Sequence, residues 1–198
     1  LTRTSTSTPM SRGERVGHIL SEALGPAPLL TIAFVEARLQ VGSAAGWWAL
    51  LPILGVAVLP YLAMIWLAHR GRVSDRFVGK RSQRLPILLG ALVVVAVIVI
   101  LLAAEAPWEA TSLTIASAVG LVVVMAVNVV WKMSIHMAIA AFLWAYQLTV
   151  LPGWLVVLLV LAVVALGWAR IAARAHTLAQ VIAGCGAGLA VFGVYMLL

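Results

Sequence analysis

Residues 86–104, PILLGALVVVAVIVILLAA, carry no charge and no hydrogen-bonding side chain. A helix of roughly 20 such residues spans the ~30 Å hydrocarbon core of a bilayer, with its backbone groups satisfied internally. Comparable runs occupy 47–68, 111–130, 152–168 and 177–197. The stretch 134–151 is shorter, and is expected to cross only if its polar start is buried among other helices. Residues 27–45 are interrupted by Glu36 and Arg38, which are expected to pair and to face the bundle rather than lipid. The pattern predicts an all-α polytopic membrane bundle of seven transmembrane helices, or six if 27–45 only dips into the membrane. Composition agrees: 64% of residues are hydrophobic and 10% charged, against about 25% charged in soluble domains.

The opening LTRTSTSTP has no apolar core and is not read as a signal peptide. With Met10 following it, this stretch is read as a tag, scar or upstream start and set aside from the fold. Ser11 and Glu14 then form a capping-box signature. Val16, Ile19, Leu20, Ala23 and Leu24 recur at helical spacing until Gly25-Pro26. Residues 1–25 thus predict a polar tail plus an amphipathic helix, either lying on the bilayer or packed on the protein. Residues 26–198 form a single transmembrane domain. Gly184 and Gly188 make a GxxxG pair that permits close helix contact. The single cysteine, Cys185, excludes an internal disulfide.

Lysine and arginine number 13 against 6 acidic residues, and their placement is one-sided. The loop 69–85, the segment 131–136 and the segment 169–176 are separated by even numbers of crossings, so they share one membrane face. That face receives Arg70, Arg72, Arg76, Lys80, Arg81, Arg84, Lys132, Arg170 and Arg174. The opposite face receives Glu105 and Glu109. The positive-inside rule places the basic face in the cytoplasm of a bacterial-type inner membrane. The basic charge is accounted for by topology and chemistry, and no nucleic-acid partner is expected.

Three polar segments on that face carry chemistry: SDRFVGKRSQRLP (74–86), WKMSIH (131–136) and ARIAARAHTLAQ (169–180). Lys132 and His136 lie four residues apart, as do His176 and Gln180, so each pair shares a helix face. Guanidinium forks match phosphate oxygens. Two histidines supply a nucleophile and a proton donor. With no aspartate pair, HExxH or Cys/His set for a metal and no P-loop, the composite reads as phosphoryl transfer on an amphiphile without a cofactor.

The spacing Arg170-x5-His176-x3-Gln180 resembles the third motif of the type 2 phosphatidic acid phosphatase (PAP2) superfamily, SRx5Hx3D. SIH at 134–136 is similar to the family's PSGH, and the loop ending Arg84-Leu85-Pro86 to its K-x6-R-P. The resemblance covers roughly 70–198. It implies a PAP2-like core in which His176 attacks phosphorus and forms a phosphohistidine, while His136 protonates the leaving group. Arg170, Arg84 and Ser134 would hold the phosphoryl oxygens, and the substrate would be a lipid monophosphate or diphosphate, with an isoprenoid diphosphate preferred.

The sequence departs from the family at five places. Phe77 stands at the first-motif lysine, leaving Lys80, Arg81 or Lys132 to supply that cation, with Lys132 favoured. Leu85 separates Arg84 from Pro86, Ile135 replaces a glycine and Ala169 a serine. Gln180 replaces the aspartate that orients the histidine, a role that Asp75 from the first loop would otherwise fill. Two other readings keep the scaffold. One is a prenyl-diphosphate transferase or cyclase shielded by Trp47, Trp48, Trp131, Trp144, Tyr146 and Trp168. The other is a non-catalytic membrane protein, either a binder of lipid phosphates or a small transporter.

The orientation is testable by cysteine labelling. With Ser82→Cys or Ala106→Cys as the target, an impermeant thiol reagent on intact cells is expected to label Ala106→Cys alone. Labelling of Ser82→Cys alone reverses the topology.

Overall fold

Backbone groups buried in an apolar interior must be satisfied within the protein, and this chain does so with helices. The computed structural model describes residues 10–42, 48, 50–73 and 81–198; the side chains of 81–85 and of 105 lie outside that description. The elements are α1 (Arg12–Ala23), α2 (Pro26–Val41), α3 (Leu50–Pro52), a π-helical stretch (Ile53–Val58), α4 (Leu59–His69), α5 (Arg81–Glu105), α6 (Trp108–Val130), α7 (Ile135–Gln147), α8 (Gly153–Ala172) and α9 (Leu178–Tyr195).

Among the described residues six helical stretches are long and apolar enough to cross a membrane: Arg12–Val41, Leu50–His69, Pro86–Ala104, Trp108–Val130, Gly153–Ala172 and Leu178–Tyr195. This is the architecture of an integral membrane protein. Of the segment expected to be weak, 27–45, the part up to Val41 lies in the first of these stretches, and 43–45 fall outside the described residues. The short element is α7, whose 13 residues rise only ~20 Å. It stands at the centre of the bundle, with most of its side chains buried from His136 to Gln147.

Helix α1 begins with the expected capping box. The Ser11 backbone N–H donates to Glu14 Oε2 at 2.7 Å and the Glu14 N–H to Ser11 Oγ at 3.2 Å. Its buried positions are Gly17 and Ser21, a small-residue face that packs on α8. A Cβ at Gly17 would come within 2.9 Å of the Ala169 carbonyl oxygen. Val16 and Ile19 of the apolar stripe remain 44% and 61% exposed. The helix therefore packs its small face on the protein, one of the two alternatives read from its sequence, and leaves Val16 and Ile19 exposed on another.

The expected Glu36–Arg38 pair does not form. Residues two apart on a helix point to different sides. Glu36 Oε2 instead accepts from Gln147 Nε2 at 2.6 Å, and Arg38 donates to the Gly42 carbonyl. One turn along, Gln40 Nε2 donates to the Tyr146 hydroxyl at 3.0 Å. These contacts tie the far end of α2 to the far end of α7.

The tightest packing is between α7 and α9, and the GxxxG pair is responsible. A Cβ at Gly184 would lie 2.5 Å from the Ser134 carbonyl oxygen. One at Gly188 would lie 2.1 Å from the Ala138 carbonyl oxygen and 2.9 Å from the Phe142 nitrogen. Backbone is the obstacle in each case, so a side chain forces the helices apart. Farther along, Phe142, Tyr146, Phe192 and Tyr195 interlock, with Tyr146 and Tyr195 5.6 Å apart in edge contact and Phe142 6.0 Å from Tyr195.

Gly184→Ala and Gly188→Ala are each expected to destabilise by about 1–3 kcal/mol, the usual cost of overpacking. Gly186→Ala, where a Cβ meets nothing within 4 Å, is expected to be near neutral. Thermal melting of the purified protein in detergent checks this; equal Tm values for all three variants contradict the packing.

Candidate active site

Helix α8 ends in a Schellman turn that carries the third motif. The Ala175 N–H donates to the Arg170 carbonyl at 3.1 Å and the Arg174 N–H to the Ile171 carbonyl at 2.9 Å, the two bonds that define this cap. Arg174 holds the left-handed position, with φ 51°, where glycine is usual. The His176 N–H also reaches the Arg170 carbonyl, at 3.2 Å. The five residues between Arg170 and His176 are therefore one helix cap folding back on its own last turn.

The two arginines separate here. Arg170 is 4% exposed and lines the main cavity. The Arg174 side chain is 84% exposed and pairs with Glu14 of α1, Nε to Oε1 2.8 Å. An ion pair this exposed adds little stability. Arg174 shapes the turn and meets α1; Arg170 faces the site.

Helix α9 opens with a second capping box. Thr177 Oγ1 accepts from the Gln180 N–H at 3.4 Å, and Gln180 Oε1 accepts from the Thr177 N–H at 3.2 Å. The same Oε1 lies 3.1 Å from His176 Nδ1. An amide oxygen can only accept, so Nδ1 carries the proton in this contact and Nε2 is the basic nitrogen of the neutral ring. Gln180 thus caps the helix and orients the histidine with one atom.

The WKMSIH segment meets this turn directly. The Ser134 N–H donates to the Gln180 carbonyl at 3.2 Å, and Lys132 Nζ donates to the Ala175 carbonyl at 2.6 Å. Asn128 holds the approach: its Oδ1 accepts from the Met133 N–H at 3.4 Å, and its Nδ2 donates to the Val124 carbonyl at 2.9 Å. His136 is 5% exposed, stands within electrostatic reach of Arg170 and His176, and is hydrogen-bonded to the Ser21 backbone.

His136, Arg170, His176 and Lys132 consequently line one cavity of about 340 Å³, within the ~300–1,000 Å³ range of ligand pockets. Ser134 does not line it; it is fully buried, with its hydroxyl unpartnered among the described residues. Arg81 and Arg84 lie on the first turn of α5 with side chains outside the described residues. Lys80 and Asp75 fall outside them altogether. Among the described residues no group of three His, Cys, Asp or Glu side chains is placed to hold a metal.

Two residues on the cavity wall were not named as site residues from the sequence. Ser21, from α1, is 1% exposed and its hydroxyl has no partner among the described residues. Asn128 sits one turn before Lys132. Its occurrence near the end of an apolar helix was the available hint, since buried amides are hydrogen-bonded. The described aromatic residues considered as carbocation shields do not line this cavity. Trp131 and Trp168 are exposed, Trp144 donates to the Val156 carbonyl, and Tyr146 lies in the far aromatic cluster. Trp48 lines a separate small pocket, and Trp47 is outside the described residues.

No protein-family model, no curated protein and no solved structure matches this chain. Its function is therefore argued from the geometry of this cavity.

Gln180→Leu is expected to cost about 1–3 kcal/mol of stability by leaving the Thr177 N–H and His176 Nδ1–H without their acceptor. Gln180→Glu keeps the capping box and is expected to melt like the parent. A Gln180→Leu protein as stable as the parent would remove this double role.

Proposed function

We propose that this protein is a metal-independent membrane phosphatase of the PAP2 type, acting on a lipid monophosphate or diphosphate. The observation that carries the reading is the meeting of His176, His136, Arg170 and Lys132 in a cavity whose remaining walls are mainly apolar, with Ser21, Glu22, Tyr61, Ser117 and Asn128 as the other polar lining. Cations and imidazoles suit a phosphate, and apolar walls suit the chain attached to it. In this reading α7 is the seventh crossing, shielded from lipid by its neighbours, and the core is PAP2-like.

The chemistry uses the residues as placed. Gln180 holds the Nδ1 proton, directing the Nε2 lone pair of His176 at phosphorus. The N–P bond forms as the bond from phosphorus to the leaving oxygen breaks. His136, entering the step as the imidazolium, gives its second ring proton to that oxygen and becomes neutral, releasing the lipid alcohol, or the lipid monophosphate from a diphosphate. Water then attacks the phosphohistidine, its proton passing to His136. Inorganic phosphate leaves and both rings return to their starting states. Arg170 and Lys132 bind the non-bridging oxygens and stabilise the charge gathered on them. Arg84, Arg81 and Lys80 are further candidates for this task.

Gln180 supplies a hydrogen bond but no negative charge for the imidazolium that develops. In serine proteases an aspartate-to-amide change in the same role costs ~10⁴ in turnover by favouring the wrong tautomer. Here the amide oxygen is fixed by the helix cap, so the tautomer is kept and only the charge is missing. The cyclase reading has less support, since the cavity is lined by Tyr61 and Phe142 as its only aromatic residues among those described.

Purified protein is to be assayed for inorganic phosphate released from lipid phosphates. His176→Ala is expected to abolish release and the acid-labile phosphoenzyme, and His136→Ala to slow release by about 10²–10⁴. Gln180→Glu is expected to raise it, and Asp75→Asn to matter only if Asp75 contributes the missing charge. Phosphate release unchanged by His176→Ala would overturn the mechanism.

A further inference from the structure

The two histidines are held by different helix ends. His176 is held by the first turn of α9, which follows it directly. The ring of His136 is hydrogen-bonded to the main chain of Ser21, in the last turn of α1. A helical N–H in that turn is committed to the carbonyl four residues back, so the group that meets the ring is the Ser21 carbonyl. The last four carbonyls of a helix have no partner within it. In α1 the Leu20 carbonyl takes the Leu24 N–H at 2.9 Å, and the Glu22 carbonyl takes the Gly25 N–H at 3.2 Å. The Ser21 carbonyl is passed over by both, and the imidazole supplies the missing donor.

We propose that Ser21 is the positioning residue for the proton donor: its carbonyl holds one ring N–H of His136 so that the other delivers its proton to the leaving oxygen. The inference rests on the phosphatase reading and adds to it a helix outside 70–198, the stretch that carries the family resemblance. The imidazolium enters the step with two N–H groups. A carbonyl only accepts, so the proton facing Ser21 stays on its nitrogen. The proton on the other nitrogen passes to oxygen as the bond from phosphorus to that oxygen breaks. The emptied nitrogen then takes a proton back from the attacking water. The carboxyl end of a helix also favours a cation. His136 is one at this step, on the wall of the same cavity as Arg170, His176 and Lys132.

The contact depends on how α1 sits on α8. A Cβ at Gly17, one turn before Ser21, would lie 2.9 Å from the Ala169 carbonyl oxygen and 3.0 Å from the Ala173 nitrogen. Both obstacles are backbone. A methyl at Gly17 therefore lifts the last turn of α1 from α8 and carries the Ser21 carbonyl with it. Gly13, one turn earlier on the same helix, is the matched comparison: a Cβ there meets only Ser11 Oγ, at 4.0 Å.

The test uses the leaving group as its readout. Dodecyl phosphate releases an alkoxide that needs a proton, whereas p-nitrophenyl phosphate releases a phenolate that leaves without one. Purified protein in detergent is assayed for kcat on each ester. Gly17→Ala is expected to lower kcat on dodecyl phosphate by about tenfold or more, part of the ~10²–10⁴ that a positioned proton donor contributes. On p-nitrophenyl phosphate the same variant is expected to stay near the parent rate, which also shows that it is folded. Gly13→Ala is expected to match the parent on both esters. In a His136→Ala background, adding Gly17→Ala is expected to leave the ratio of the two rates where it is, because residues that act through one another are not additive. If Gly17→Ala does not fold, Gly25→Ala, whose Cβ would lie 3.3 Å from the Ser21 oxygen, is read by the same ratio. Equal losses on the two esters, or a ratio that falls again in the His136→Ala background, overturn the inference and leave the phosphatase reading standing. No phosphate from either ester with the parent protein overturns both.

Discussion

The approach of α7 to α9 is the constraint on which the rest of the structure depends. At Gly184 and Gly188 the helix backbones meet without side chains between them, against the carbonyls of Ser134 and Ala138. Lipid tails are as apolar as leucine, so helices in a membrane associate by packing and polar contacts rather than by escape from water. That separation lets the Ser134 N–H reach the Gln180 carbonyl. His136 begins α7, and Gln180 holds His176 at the start of α9. A wider separation would pull apart the two histidines before it unfolded either helix.

The spacings of the polar segments have local causes. Five residues from Arg170 to His176 are needed because the chain must close a Schellman turn before α9 can begin. A residue three after Thr177 is needed because that is where a capping box reaches back. Gln180 satisfies the helix end and the imidazole together, through one side-chain oxygen. Arg174 bears the strain of the left-handed position in the same turn. Arginine there forgoes glycine's conformational ease and gains a contact with Glu14.

Much of this was legible in the sequence because hydrocarbon imposes simple rules. The runs 86–104 and 111–130 had to be helices, and Gly184 with Gly188 announced a close contact. The gathering of Lys132, His136, Arg170 and His176 followed from crossing parity and spacing. What failed was side-chain direction. Glu36 and Arg38 are neighbours in sequence but point apart on a helix, and the partner of Glu36, Gln147, is far along the chain. Ser134 was expected to hold a phosphoryl oxygen, but it is fully buried and does not line the cavity. Ser21 gave no signal because its burial depends on Gly17 fitting against α8, a tertiary event that periodicity does not encode.

Helix α1 shows how one element can serve the membrane and the site together. Its small face, Gly17 and Ser21, lies on α8, and its Ser21 backbone holds the His136 ring. Val16 and Ile19 stay exposed on another face, suited to the interfacial layer of the bilayer. Ser21 and Glu22 of this helix also line the cavity, and the fit of Gly17 against α8 is what brings them there. The amphipathic pattern of residues 11–24 therefore belongs to the site as much as to the membrane surface, because the face that is not apolar is the one that meets His136.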